Sequence, residues 1–321
     1  MMSEPTFQHI KEAAERIRPY IHRTPVLTCS ALNQICDAEL FFKCENFQKV
    51  GAFKFRGACN AVFSLTPEEA AAGVATHSSG NHAQALAMAA RLRGLRAYIV
   101  MPDNAPQVKQ AAVAGYGAEI IPCRPTLAAR EASLAQVVDD TGAIFIHPYN
   151  DNRIIAGQGT AGLELMTDVP DLDVVTTPVG GGGLLSGTAL TVSALDPRCC
   201  VVAAEPAGAD DAYRSFRTGR IVPSRDPVTI ADGLLTSLGD KTFPIIKQSV
   251  QDIVTVAEEA IITAMRLLFE RMKIVVEPSA AVPLGALLTA RERFPGRRIG
   301  IIVSGGNVDL DRLPWLSRDQ D

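Results

Sequence analysis

Residues 174–195 run for 22 positions without a charge, yet they include five glycines, one proline and six serines or threonines. A membrane-spanning helix would not place four consecutive glycines at mid-depth. The stretch divides instead into an apolar run, a glycine loop and a helix start. A strand that is apolar throughout must be covered on both faces, which strongly restricts the fold. The pattern recurs. Apolar runs at 97–101, 119–122, 143–147, 173–177, 200–204 and 299–304 alternate with helical patterns at 81–93, 105–115, 127–140, 153–166, 183–195, 257–272 and 279–293. This alternation predicts an α/β protein built on open parallel sheets with helices on both faces. Functional residues in such folds lie in loops beyond the carboxyl ends of strands.

The 321 residues suffice for one large or two ordinary domains, and no repeat or linker divides them. Two packed α/β units are expected. A net charge of −4 gives no basic excess to draw the chain onto nucleic acid or anionic lipid. Seven cysteines with no C-x-x-C fit neither a disulfide framework nor a zinc site. They predict free thiols in a reducing, cytoplasmic setting. The opening MMSEPTFQHIKEAAERIRPY has no apolar centre behind basic residues and does not read as a signal peptide. It predicts an amphipathic helix with Phe7, Ile10, Ala14 and Ile17 on one face and Pro5 near its first turn.

Four short motifs carry chemistry. Gly180, Gly181, Gly182 and Gly183 follow a strand and open a helix, so main-chain N–H groups converge on an anion in the field of the helix N-terminus. The motif is neither a dinucleotide fingerprint nor a P-loop, since Thr188 stands where a P-loop lysine belongs. Four glycines exceed what a tight turn needs. Ser78, Ser79, Gly80, Asn81 and His82 precede another helix, where a serine serves as N-cap or the loop grips a substrate carboxylate. Lys54 lies between Phe53 and Phe55, read as a strand-end lysine. Poor hydration there would lower its pKa and favour the neutral amine that a Schiff base requires, whereas a snorkelling surface lysine is the plain alternative. Ser304-Gly305-Gly306-Asn307 ends the most apolar strand and presents a hydroxyl on flexible backbone. Together the four outline a site for one aldehyde-and-phosphate cofactor, as in pyridoxal phosphate.

The segments FFKCENFQKVGAFKFRGACNAV, HSSGNHAQALA, PVGGGGLLSG, AAEPAGADDAY, TIADG, ERMKIVVEPSA and SGGNVDL resemble the serine racemase and serine/threonine dehydratase family of fold-type II pyridoxal-phosphate enzymes. The resemblance runs from about Thr24 to Leu310. It implies a large cofactor-binding domain of residues 1–72 and 151–321, a small mobile domain of 73–150, and a homodimer. It further implies that Lys54 forms the Schiff base and moves the α-proton, with Phe53 beside the ring and Asn81 bonded to its 3-oxygen. The four glycines with the Leu184 N–H would hold the phosphate, and Ser304 would face the ring nitrogen. Ser79 matches the second acid/base, on the opposite face of the ring. Glu205, Asp211 and the Ala209 carbonyl match a divalent-cation site, suited to Mg²⁺, Mn²⁺ or Ca²⁺. Without the resemblance, EPAGADD reads as a solvated acidic turn.

The resemblance implies dehydration of a 3-hydroxy amino acid. GAFKFRG and ENFQ look like members acting on 3-hydroxyaspartate, with a serine racemase or serine/threonine dehydratase as the alternative. A second substrate carboxylate needs a cation. Arg130 lies where family members carry a mobile arginine, although it also reads as a solvated helix residue. Thr236, with Ser237, follows TIADG and would add a hydroxyl.

Overall fold

A computed structural model describes residues 4–105 and 107–316. Among them are ten strands: β1 (Val26–Leu27), β2 (Glu39–Cys44), β3 (Val74–His77), β4 (Ala97–Pro102), β5 (Glu119–Cys123), β6 (Ile144–Phe145), β7 (Val174–Pro178), β8 (Cys200–Pro206), β9 (Asp252–Val256) and β10 (Arg298–Val303). They form two sheets, β1-β2-β10-β7-β8-β9 and β5-β4-β3-β6. Every pairing is parallel except β1 against β2.

Period-two alternation of the strands fills a core on each face of the larger sheet. Val174, Val202, Ile299 and Ile301 enter one core with the helix Pro278–Thr289. Val175, Val201, Ala203 and Ile302 enter the other with the helix Gly183–Leu195. Burial on both faces is why β7, VVTTP, carries no charge. No helix among the described residues is long and apolar enough to cross a membrane. All seven cysteines are free thiols.

The helices Asn81–Arg93 and Gly183–Leu195 stand where the sequence placed them. The predicted helix 257–272 ends as an α-helix at Leu267 and continues as a π-turn, Leu268–Met272, before Lys273 at φ +60°. The N-terminal helix, Phe7–Ile17, buries Ile10, Ala13 and Ile17, so Ala13 takes the inward place expected of Ala14. Pro106, in the predicted helix 105–115, lies outside the described residues, as do residues 1–3 and 317–321 of the predicted large domain. Lys54 corrects a further expectation. It does not end a strand but is the first residue of the helix Lys54–Phe63, ten positions beyond the end of β2.

Candidate active site

The parallel strands deliver their following loops to shared edges of the sheets. The loop after β10 is stitched to the segment that carries Lys54. Phe53 N donates to Ser304 O (2.9 Å), Gly306 N donates to Gly51 O (2.9 Å), and Ala52 bridges Gly305. Val50 and Gly51 turn the chain through the left-handed region, at φ +56° and +70°. The Lys54 helix is anchored from behind. Arg56, fully buried, donates to Glu45 Oε2 (2.7 Å) and Glu164 Oε1 (2.9 Å).

Lys54 Nζ lies 5.2 Å from the Phe53 ring centroid and donates to Pro148 O at 2.9 Å. Burial lowers its pKa to about 8, and the Glu277 carboxylate partly opposes the shift. The helix N-terminus beneath it acts in the same direction as burial, because its positive end disfavours an ammonium. The site therefore holds an amine that is about half neutral near pH 8, far more than an ordinary lysine would be.

Gly180, Gly181, Gly182 and Gly183 are all buried. Gly182 adopts φ +88°, and a Cβ on Gly181 would lie 2.3 Å from Cγ of Tyr149. Thr242 Oγ1 donates to Gly181 O at 2.8 Å. The first N–H groups of the helix Gly183–Leu195, including that of Leu184, have no intrahelical partner. A cradle with no room for side chains and free N–H groups fits a phosphate. Ser304, 2% exposed, sits at the end of the neighbouring β10.

The loop after β3 does not use its serines as helix caps. Gly80 is the N-cap of Asn81–Arg93 and forms no side-chain cap bond, while Ser78 Oγ accepts from Gly80 N at 3.3 Å. That removes the plain N-cap reading of Ser78 and Ser79. Asn81 Nδ2 lies 3.0 Å from both carboxylate oxygens of Glu277, and its Oδ1 accepts from Asn307 Nδ2 at 2.9 Å. His82 is turned inward. Its ring is 2% exposed and its Nε2 donates to Ile146 O (3.1 Å), so its main-chain N–H is what remains for an anion.

Arg130 occupies the first turn of the helix Leu127–Thr141, and its buried Nε has no hydrogen-bond partner. It lies close enough to His77, at the end of β3, for its charge to add to burial in lowering that imidazole's pKa. Thr236, exposed, interacts with the Tyr149 phenol, which burial pushes above its usual range.

After β8, Glu205 is fully buried and accepts from Ala212 N (2.8 Å) and Tyr213 N (2.7 Å). Burial raises its carboxyl to about 9. Asp211, 1% exposed, is pushed up to about 6 by burial, and neither of its buried oxygens has a hydrogen-bond partner of ordinary geometry. Ala209 precedes it in the short turn Ala207–Ala209. EPAGADD is thus no solvated turn at Glu205, Ala209 and Asp211. Among the described residues there is no cluster of three or more His, Cys, Asp and Glu able to hold a metal.

Sequence reasoning singled out neither Tyr149, His147 nor Glu277. Each acts through partners 32 or more residues away in the chain or through its own turn, and no local pattern marks it.

The family model described as "Pyridoxal-phosphate dependent enzyme" matches residues 17–305. The chain is 53% identical over 311 residues to the beta-hydroxyaspartate dehydratase of Paracoccus denitrificans (strain Pd 1222), covering 97% of this chain and 99% of that one. It is 47% identical over 316 residues to the L-threo-3-hydroxyaspartate ammonia-lyase of Saccharomyces cerevisiae, covering 98% and 97%. The crystal structure of serine racemase from Dictyostelium discoideum superposes with a TM-score of 0.93 at 52% identity, covering 96% of this chain and 100% of that one.

Proposed function

Because the chain belongs to the pyridoxal-phosphate-dependent enzymes, we propose that it is an ammonia-lyase that dehydrates 3-hydroxyaspartate. Loss of water gives iminosuccinate, and its hydrolysis gives oxaloacetate and ammonia. The observation that carries this reading is Arg130, whose buried and unpartnered Nε beside His77 suits the second carboxylate of such a substrate. Two relatives with hydroxyaspartate in their names, at 53% and 47% identity, support it.

Pyridoxal phosphate, when bound, supplies the electron sink that lets the α-proton of an amino acid leave. Lys54 is the amine that attaches it and the base that takes the α-proton at Nζ. Its depressed pKa, about 8, makes that nitrogen more available at mildly alkaline pH than an ordinary lysine. The four glycines and the Leu184 N–H would hold the phosphate, and Phe53 would pack beside the ring. Ser304 would meet the ring nitrogen with a neutral hydroxyl. A neutral hydroxyl there would hold the ring without supplying the negative charge that a carboxylate would. Ser78, Ser79 and the first-turn N–H groups of Asn81 and His82 receive the α-carboxylate, and Ser79 exchanges a proton on the opposite face. Asn81, held beside Glu277, would bond the 3-oxygen. Thr236, with Tyr149, lines the side-chain end.

A divalent cation, Mg²⁺, Mn²⁺ or Ca²⁺, belongs at Glu205, Asp211 and the Ala209 carbonyl. The buried Asp211 oxygens, neither in a hydrogen bond of ordinary geometry, fit a hard cation, which would keep both carboxylates ionised. The active form is a cytoplasmic homodimer in which residues 73–150 move as a unit against 1–72 and 151–321. A second reading, serine racemase with serine/threonine dehydratase activity, is favoured by the Dictyostelium discoideum relative and by a Ser79 hydroxyl not used in capping. The test is a turnover panel of serine, threonine and the four 3-hydroxyaspartate isomers, read as keto acid plus ammonia. One 3-hydroxyaspartate isomer as the preferred substrate supports the first reading. D-serine formed from L-serine as the main reaction supports the second.

A further inference from the structure

His147 lies on the turn that follows β6 and takes no part in the chemistry assigned above. Its Nδ1 is 3.2 Å from Tyr149 N and 2.9 Å from Asn150 N. Both N–H groups donate to that nitrogen, so Nδ1 is unprotonated and the ring hydrogen sits on Nε2. The closed turn does three things. It presents the Pro148 carbonyl to Lys54 Nζ at 2.9 Å. It lays the Tyr149 ring so tightly on the glycine loop that a Cβ on Gly181 would fall 2.3 Å from it. It aims Asn150 at the segment before Thr242, where Oδ1 accepts from Lys241 N (2.9 Å) and Nδ2 donates to Asp240 (2.7 Å). The His147 ring also meets the Tyr149 ring edge-on, with centroids 4.5 Å apart.

We propose that His147 is a positioning residue whose Nδ1 fixes the 147–150 turn, so that Pro148 orients the Lys54 amine and Tyr149 closes the phosphate loop. The proposal rests on the reading of Lys54 and of the four glycines given above. Electrostatics keeps the ring in its acceptor form. Burial, with the charges of His77, Lys54 and Lys241, lowers the imidazole to about 4, while Asp151 opposes them. His147 is therefore neutral throughout the range in which Lys54 acquires a free amine.

Two substitutions separate the acceptor from the ring. His147→Phe keeps an aromatic ring against Tyr149 but has no acceptor. His147→Asn keeps an acceptor, because an asparagine oxygen takes the N–H groups two and three residues ahead in turns of this kind. The holoenzyme of each is diluted into cofactor-free buffer, and release of pyridoxal phosphate is timed by fluorescence. Release from His147→Phe is expected to be about tenfold faster than from the natural chain, and release from His147→Asn to stay within about threefold. In the same variants kcat falls in the same order with KM nearly unchanged. Equal release from the two variants, whether fast or unaltered, overturns the proposal. Release needs no substrate, so this outcome is independent of which amino acid is turned over. A wrong substrate reading shows instead as a holoenzyme inert toward the hydroxyaspartates. If His147→Phe does not fold, ¹⁵N NMR of the natural chain decides. An unprotonated Nδ1 at neutral pH is expected, and an imidazolium or an Nδ1–H form overturns the proposal.

Discussion

Asn81 Nδ2 lies 3.0 Å from both carboxylate oxygens of Glu277, joining the first residue of the helix after β3 to the turn that opens the helix Pro278–Thr289. The contact ties together loops from the two sheets beside Lys54. Glu277 is 4% exposed, and burial raises its carboxyl from 4.5 to about 7, the Asn81 bond opposing the shift.

A stability profile follows from that shift. The folded chain holds the Glu277 proton more tightly than the unfolded chain does. Its contribution is therefore full below about pH 4.5, declines as pH rises, and is lost above about pH 7. His82 and His147, lowered to about 3 and about 4 by burial, act with the opposite sign, so the test is a difference. Denaturant unfolding of the natural chain and of Glu277→Gln is compared from pH 4.5 to 8. The natural chain is expected to lose about 3 kcal/mol relative to the variant across that range. A difference independent of pH would show that Glu277 titrates normally.

Lys54→Ala is expected to reduce turnover by about 10³-fold or more and to abolish borohydride-stable attachment of the cofactor. Peptide mapping by mass spectrometry after reduction checks it. A cofactor-bearing peptide that contains another lysine would displace Lys54 from the role its burial and its Pro148 contact give it.

Much of this site was legible in the sequence, for a physical reason. The glycine loop, the Ser78–His82 loop and Ser304 lie directly after strands, where tight turns restrict composition to Gly, Ser and Asn. Such turns leave a local trace. Glu277, His147 and Tyr149 leave none, because each is defined by what it meets across the fold. The strand β2, ELFFKC, escaped notice because Lys43 interrupts its apolar run; in the structure that lysine is fully buried and paired with Glu164 at 2.6 Å. The helix Lys54–Phe63 escaped for the same reason. Arg56 and Asn60 stand on it as buried polar residues, and Arg56 is neutralised by Glu45 and Glu164. A pattern of apolar positions cannot reveal an inward-facing charge whose partners lie on other elements.

Arg130 is the specificity prediction. Arg130→Ala is expected to lower kcat/KM for 3-hydroxyaspartate by about 100-fold, the loss of one charge-assisted contact to a carboxylate. Turnover of serine, which has no second carboxylate, should stay within about threefold. Steady-state kinetics on both substrates checks this. A parallel fall on both would make Arg130 a general structural residue.

The cation prediction uses Asp211. Exhaustive chelation of the natural enzyme is expected to lower its melting temperature, and Mg²⁺, Mn²⁺ or Ca²⁺ to restore it, because the buried Asp211 carboxyl, already pushed up to about 6, would lose the charge that favours its ionised form. Asp211→Asn should show no further response to chelator. A melting temperature that ignores chelation in the natural enzyme would leave Glu205 with only its bonds to Ala212 and Tyr213.

The chain is expected to prefer a dicarboxylic hydroxy amino acid to serine, and a competition measures that preference. The holoenzyme is given L-serine and the four 3-hydroxyaspartate isomers in one vessel, and the disappearance of each is followed by chiral chromatography. One 3-hydroxyaspartate isomer is expected to vanish about 100-fold faster than serine, with oxaloacetate and ammonia appearing in equal amounts. Serine consumed or racemised as fast as every hydroxyaspartate isomer would show that the second carboxylate is not selected.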